Sequence, residues 1–247
     1  MASCDRLATL LNRFSLRVQP IEEERANLVV TADDSGVPNA VLVHTRGGVI
    51  GPLYDEAVFS ARFEWGGEAN PLFSSLSDQV ALMLEGDDET IGLVHLLQSE
   101  LAASRCGCGP VVNRLGEVLL VRVLRAQIEK GSTRPGLLAG LHDARISRAI
   151  VAIHDDPGRD WYNSDLAHVA GLSLSRFSEL FPVVVGQSPA AYLRTWRLTL
   201  ARQDVVRGER VDRIARRYGY RSPEGFARAF KKQFGTSPIE ERPRLSA

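Results

Sequence analysis

The 247 residues predict an α+β chain, with a β-rich N-terminal part and an all-helical C-terminal part. Three observations carry this reading. Apolar runs of strand length, separated by turn residues, fill residues 27–65. Beyond residue 159 one pattern, a short helix, a glycine stop and a capped second helix, occurs twice. The charge also divides. Residues 1–158 hold 14 Lys/Arg against 21 Asp/Glu, net −7, whereas residues 159–247 hold 16 against 9, net +7. The neutral total therefore conceals an acidic module and a basic one, and a basic module suits a polyanionic partner.

The length allows one large domain or two modest ones, each with its own core. Residues 5–17 read as an amphipathic helix, with Leu7, Leu10, Leu11 and Phe14 on one face. Its Asp5 and arginines do not suit a signal peptide. No run of 18 apolar residues is present, so neither a transmembrane helix nor a membrane partner is expected, and a cytoplasmic location is. In NLVVTADDSGVPNAVLVHT two apolar runs flank the turn-rich Asp33–Asn39. GGVIGPLY (residues 47–54) and AVFSARFEW (residues 57–65) add two candidate strands. DQVALML (residues 78–84) suits a strand or a short helix equally.

Residues 88–104 and 110–130 read as helices separated by Cys-Gly-Cys-Gly, with Pro110 in the first turn of the second. That second helix is apolar over more than half its circumference, which suits an interior position or half of a dimer contact. Residues 131–143 read as a linker entering a further helix, and Arg145–His154 is helical. This gives three expected segments: 1–104 for sensing, 105–158 for coupling and dimerisation, and 159–247 for the basic module.

In the basic module, Asp165–Pro189 and Asp212–Pro238 are the two copies. Ala167 and Gly171 match Ala215 and Gly219 at offset 48. Phe177, Phe181, Gly186, Ser188 and Pro189 match Phe226, Phe230, Gly235, Ser237 and Pro238 at offset 49. Glycine tolerates the left-handed conformation of a helix stop. Ser173 and Ser222 stand at N-cap positions, and Pro223 follows as a first helical residue. Two short helices joined by such a turn form a helix-turn-helix. Between the copies, Leu193, Trp196, Leu200 and Val205 mark a helix of about 17 residues, roughly 25 Å long. That length can set two recognition helices about one DNA turn, 34 Å, apart.

The second copy explains its own composition. Phe226, Phe230 and Phe234 recur at i, i+4 and i+8, so they face a small three-helix core. Glu224, Arg228, Lys231 and Lys232 occupy the other face. A helix fits the major groove of double-stranded DNA, where an Arg pairs with guanine O6/N7 and cations offset phosphate.

Residues from about Asp160 to Arg242 resemble the paired helix-turn-helix domain of AraC/XylS-type transcriptional regulators. GYRSPEGFARAFKKQFGTSP carries the most specific part of the likeness, with GLSLSRFSELF and GQSPAAYLRTWRL in the first copy. The resemblance implies a sequence-specific bacterial regulator with a sensing or dimerising N-terminal domain. It places base-reading positions on Ser175, Ser178 and Glu179, with Arg176 nearby, and on Pro223, Glu224 and Arg228. Lys231 falls at a phosphate-contacting position. RNA polymerase, a small-molecule or redox effector and a homodimer are the further partners it suggests.

Three departures stand out. Pro182 replaces the cation that Lys231 supplies in the second copy, and a proline there is expected to kink or stop the first recognition helix. Glu179 stands where a cation is common; it can accept from cytosine N4 but repels phosphate. No aromatic residue lies near Glu241. The second copy is therefore expected to supply more of the affinity.

The N-terminal layout resembles the cupin-linked branch of the family, with a sheet short for a complete barrel. It lacks a His-x-His motif, and His44 and His95 stand alone, so no metal or other cofactor is expected. Cys106 and Cys108 form a lone Cys-x-Cys, with Cys4 remote. A redox role needs accessible, low-pKa thiols, and inert loop thiols are the alternative. A metal-dependent cupin enzyme and a low-specificity architectural DNA-binding protein are the rival functions. No catalytic constellation supports the enzyme.

Overall fold

The computed structural model describes residues 5–14, 16–21, 25–45, 57–66, 70–132 and 134–242. The candidate strand at residues 47–54 and Cys4 lie outside them. The described residues fall into two compact units, Phe14–Ser132 and a second that combines residues up to Arg13 with those from Arg134 onward.

The chain opens with helix α1, Ala8–Arg13, and strand β1, Leu16–Pro20. The helix expected over residues 5–17 is thus shorter than its apolar pattern suggests. From Leu16 the side chains alternate around the inward Val18, and β1 pairs antiparallel with a later strand. The sheet continues with β2 (Leu28–Ala32), β3 (Pro38–His44), β4 (Ala57–Trp65) and β5 (Gln79–Met83). The ambiguous residues 78–84 are therefore a strand. The order is β1-β4-β2-β3-β5, antiparallel throughout. Every residue of the central β2 is buried, whereas β4 alternates and turns Phe59, Ala61, Phe63 and Trp65 inward. Buried Asn27 ties the sheet internally: its amide donates to the Phe63 carbonyl and accepts from the Phe63 N–H at 2.7 Å.

Helix α2 is Pro71–Ser75; α3, Asp88–Ala103, and α4, Cys108–Lys130, follow β5. Asp87 caps α3 through the Thr90 N–H, and Arg122 of α4 holds Asp87 at 3.4 Å. Helix α4 packs on α3, β1 and β5 within the sheet unit. Val112, Leu119, Val123, Leu124 and Ile128 are buried, while Val111 and Val118 are exposed, so burial is one-sided.

The second unit holds α5 (Leu137–His142), α6 (Ile146–Asp155), α7 (Asn163–Ala170), α8 (Leu174–Val185), α9 (Pro189–Val206), α10 (Val211–Arg217) and α11 (Pro223–Phe234). Helix α1 packs on α6; Leu10 is fully buried, Arg6 donates to the Leu141 carbonyl at 2.8 Å, and Thr9 bonds Asp155. Among the described residues, no helix is long and apolar enough to cross a membrane.

Buried His154 joins α6 to α9. Its Nε2 lies 2.7 Å from the Tyr192 hydroxyl, and its ring stacks on Trp196 at 3.9 Å between centroids. Burial pushes the imidazole down to about 3, and raises the Tyr192 phenol. The unfolded chain binds a proton here below about pH 6.5, but the folded chain does not until near pH 3. The stability tied to this ring is complete above pH 6.5 and falls as the pH drops, by at most about 1.4 kcal/mol per pH unit. In urea unfolding between pH 7 and 5, His154→Phe is expected to flatten that slope. An unchanged slope would show that another group titrates.

Candidate nucleic-acid interface

Each helix-turn-helix is built by the same local devices. Gly171 and Gly219 adopt φ of 69° and 72°, the left-handed stop that the sequence anticipates. Ser173 then caps α8 by accepting from the Arg176 N–H at 3.3 Å, and Ser222 caps α11 by accepting from the Gly225 N–H at 3.1 Å. Both recognition helices run twelve residues and end on left-handed glycines, Gly186 and Gly235. Phe177, Phe181, Phe226 and Phe230 are fully buried, with ring centroids 5.3 Å apart in the first pair and 5.6 Å in the second. Phe234 continues the stripe at 4.8 Å from Phe230, partly exposed.

One device went unread in the sequence. Arg148 of α6 donates to the Ala170 carbonyl at 2.6 Å, with its guanidinium beneath Gly171. Arg197 of α9 places its guanidinium beneath Gly219 and donates to the carbonyls of Pro157 and Arg159 at 2.6 and 2.8 Å. The two arginines are themselves 49 residues apart, so the repeat extends upstream. Each copy is a three-helix unit, α6–α8 and α9–α11. Continuing the self-comparison upstream would have found it.

Pro182 does not stop α8. The helix runs on to Val185, which is buried, and the Gly186 N–H donates to the Pro182 carbonyl at 2.8 Å. The Val184 carbonyl accepts from the Gly136 N–H at 3.0 Å. These contacts hold the last turn although Pro182, lacking an N–H, donates no hydrogen bond to the Ser178 carbonyl. Near Glu241, where no aromatic residue stands, the carboxylate accepts from Arg202 of α9 at 2.7 Å and from the Thr236 hydroxyl at 2.8 Å.

The nine residues singled out in the sequence, Ser175, Arg176, Ser178, Glu179, Pro223, Glu224, Arg228, Lys231 and Lys232, are all exposed. On α8, Glu179 lies 3.7 Å from Arg176 and 3.4 Å from the Ser175 hydroxyl. On α11, Arg228, Lys231 and Lys232 make no ion pair among the described residues. Arg194, Arg213 and Arg221 are also exposed and without ion pairs there, and the sequence did not single them out. The neighbouring cations are occupied. Arg216 pairs with Asp212 at 3.0 Å, and Arg217 pairs with Asp204 at 2.6 Å and Glu209 at 2.7 Å. Glu209 and Asp204 hold the Arg217 guanidinium more firmly protonated than usual, against the opposing effect of its partial burial.

Among the described residues no three His, Cys, Asp or Glu side chains converge as a metal site. His95 is exposed and His44 half-buried. Cys106 is exposed, and Cys108 donates through sulfur to the Glu100 carbonyl at 3.2 Å.

Two helix-turn-helix units joined by a shared rod, and a separate antiparallel sheet with packed helices, define a nucleic-acid-binding architecture with an attached β domain. A family model described as a helix-turn-helix domain matches residues 166–244, and one described as cupin matches residues 5–129. The chain belongs to the AraC-type regulators that carry a cupin domain. It is 33% identical over 155 residues to a protein described as an uncharacterized HTH-type transcriptional regulator of Haemophilus influenzae, covering 62% of this chain and 52% of the relative. It is 31% identical over 191 residues to the HTH-type transcriptional regulator MtrA of Neisseria gonorrhoeae, covering 76% and 63%. The solved structure of ToxT from Vibrio cholerae aligns over 93% of this chain and 96% of its own, at 12% identity and a TM-score of 0.43. The chain spans about half the length of the curated relatives it matches.

Proposed function

We propose that this chain is a sequence-specific DNA-binding transcription regulator that works in the cytoplasm by binding rather than catalysis. The observation that carries it is the division of α11. Its Phe stripe is buried in the helical unit, and Arg228, Lys231 and Lys232 are left exposed without ion pairs among the described residues. Uncommitted cations on a capped recognition helix suit the major groove and its flanking phosphates. The sheet unit receives a small-molecule or redox signal, with exposed Cys106 and its neighbour Cys108 as the thiols an oxidant would reach. Leu96, Val111 and Val118, exposed on α3 and α4, support a homodimer contact on that helix pair. RNA polymerase is the machinery such a regulator would recruit or block.

Fluorescence anisotropy on a duplex recovered by selection tests the reading. Arg228→Ala is expected to weaken binding about ten- to a hundredfold, the range for losing one guanine contact. Ser178→Ala is expected to change it only a few-fold. Equal weakening by the two would contradict the weight given to the second repeat.

A further inference from the structure

We infer, building on the reading that this surface binds duplex DNA, that the two repeats read opposite members of a G·C pair and that only the second anchors phosphate. Glu179 is then the specificity-determining residue of the first subsite, for cytosine. The matched caps, glycine stops and Phe pairs put residue n of α8 and residue n+49 of α11 in equivalent places. Glu179 stands two residues from both Phe177 and Phe181, so it projects about 160° away from each buried ring. Arg228 stands two residues from both Phe226 and Phe230 and projects in the same way. The two occupy the same outward position on the second turn, in the half of a recognition helix that meets base edges.

Their chemistry is opposite. A guanidinium donates to guanine O6 and N7, whereas a carboxylate accepts from the cytosine N4 amine and is repelled by guanine's acceptors. The next outward positions differ as well. Lys231 and Lys232 correspond to Pro182 and to Val183, which is 69% exposed. Arg176 is the one cation of α8, and it lies 3.7 Å from Glu179. Counterion release follows the number of phosphates neutralised, so the salt dependence of binding falls to the second repeat, where Arg194, Arg213 and Arg221 join Lys231 and Lys232 as exposed cations without ion pairs among the described residues. The first subsite supplies sequence preference with little electrostatic affinity.

The experiment is selection on random duplex with the full-length chain, followed by anisotropy at several salt concentrations. Glu179 is exposed and paired only along its own helix, so its variants should fold; thermal melts check this. Glu179→Arg is expected to turn one preferred base from C to G, by about five- to a hundredfold, with the other columns unchanged. Glu179→Gln is expected to turn the same base to A. Lys231→Ala is expected to weaken all sequences alike and to reduce the salt slope by about 1, whereas Val183→Ala leaves the slope unchanged. Selective binding with that column unmoved in both Glu179 variants overturns this inference alone. A wild-type chain that binds no duplex overturns the regulator reading as well.

Discussion

Asp204→Ala is expected to destabilise the helical unit by about 3–5 kcal/mol, the range for stripping one partner from a buried charged network. Asp204 is buried at the C-terminal end of α9. Its Oδ2 accepts from the Tyr218 hydroxyl at 2.7 Å and from Arg217 at 2.6 Å, and Arg207 lies 3.5 Å from Oδ1. Burial first, and then this carboxylate, raise the Tyr218 phenol well above its ordinary range, so it remains a donor. Deleting the carboxylate strands a buried hydroxyl and leaves Arg217 with Glu209 alone. Asp204→Asn keeps an acceptor of the same shape and should recover part of the loss. Denaturant melts of the full chain decide it; a loss below about 1 kcal/mol for Asp204→Ala would mean the network is not what locks α10 to α9.

Phe230→Ala is expected to cost about 3–5 kcal/mol, as large-to-small changes of buried aromatics do. The ring is fully buried between Phe226 at 5.6 Å and Phe234 at 4.8 Å. Truncation opens a cavity in a core built from three short helices. Phe234→Ala is expected to cost less, because that ring is partly exposed and meets the Arg202 guanidinium at 5.0 Å. Comparable losses at the two positions would show that the stripe does not face one core. Phe230→Ala should also abolish DNA binding at temperatures where the second repeat has melted, with no DNA-facing side chain altered.

The helical unit was largely legible in the sequence because its signals are local. A glycine stop, a serine cap that accepts from the N–H three residues on, and Phe residues four apart each act within one or two turns. Those same features place Glu179 and Arg228 outward. Of the kink or stop expected at Pro182, the stop does not occur, because the contacts that hold the last turn of α8 come from Gly136 and the core around Val185, distant in sequence or visible only on folding. Arg148 and Arg197 share the 49-residue offset of the repeat but lie upstream of the glycine stops, serine caps and Phe pairs that mark it, so only a comparison carried into α6 and α9 picks them out. The short α1 was overextended because Leu16 and Val18 fit either period until β4 supplies a partner. Its packing on α6, and the reach of Arg6 across 135 residues of chain to the Leu141 carbonyl of α5, are contacts that no local pattern announces.

The most direct test of the central claim is in-vitro selection on random duplex DNA with the full-length protein, with the salt dependence of binding then measured on the winning sequence. A DNA-reading pair of helices predicts one enriched motif with contacts in two successive major-groove segments, and affinity for it well above that for scrambled duplex at the same salt. Binding that tolerates any sequence and simply declines with salt would contradict it, and would leave a basic module that coats DNA.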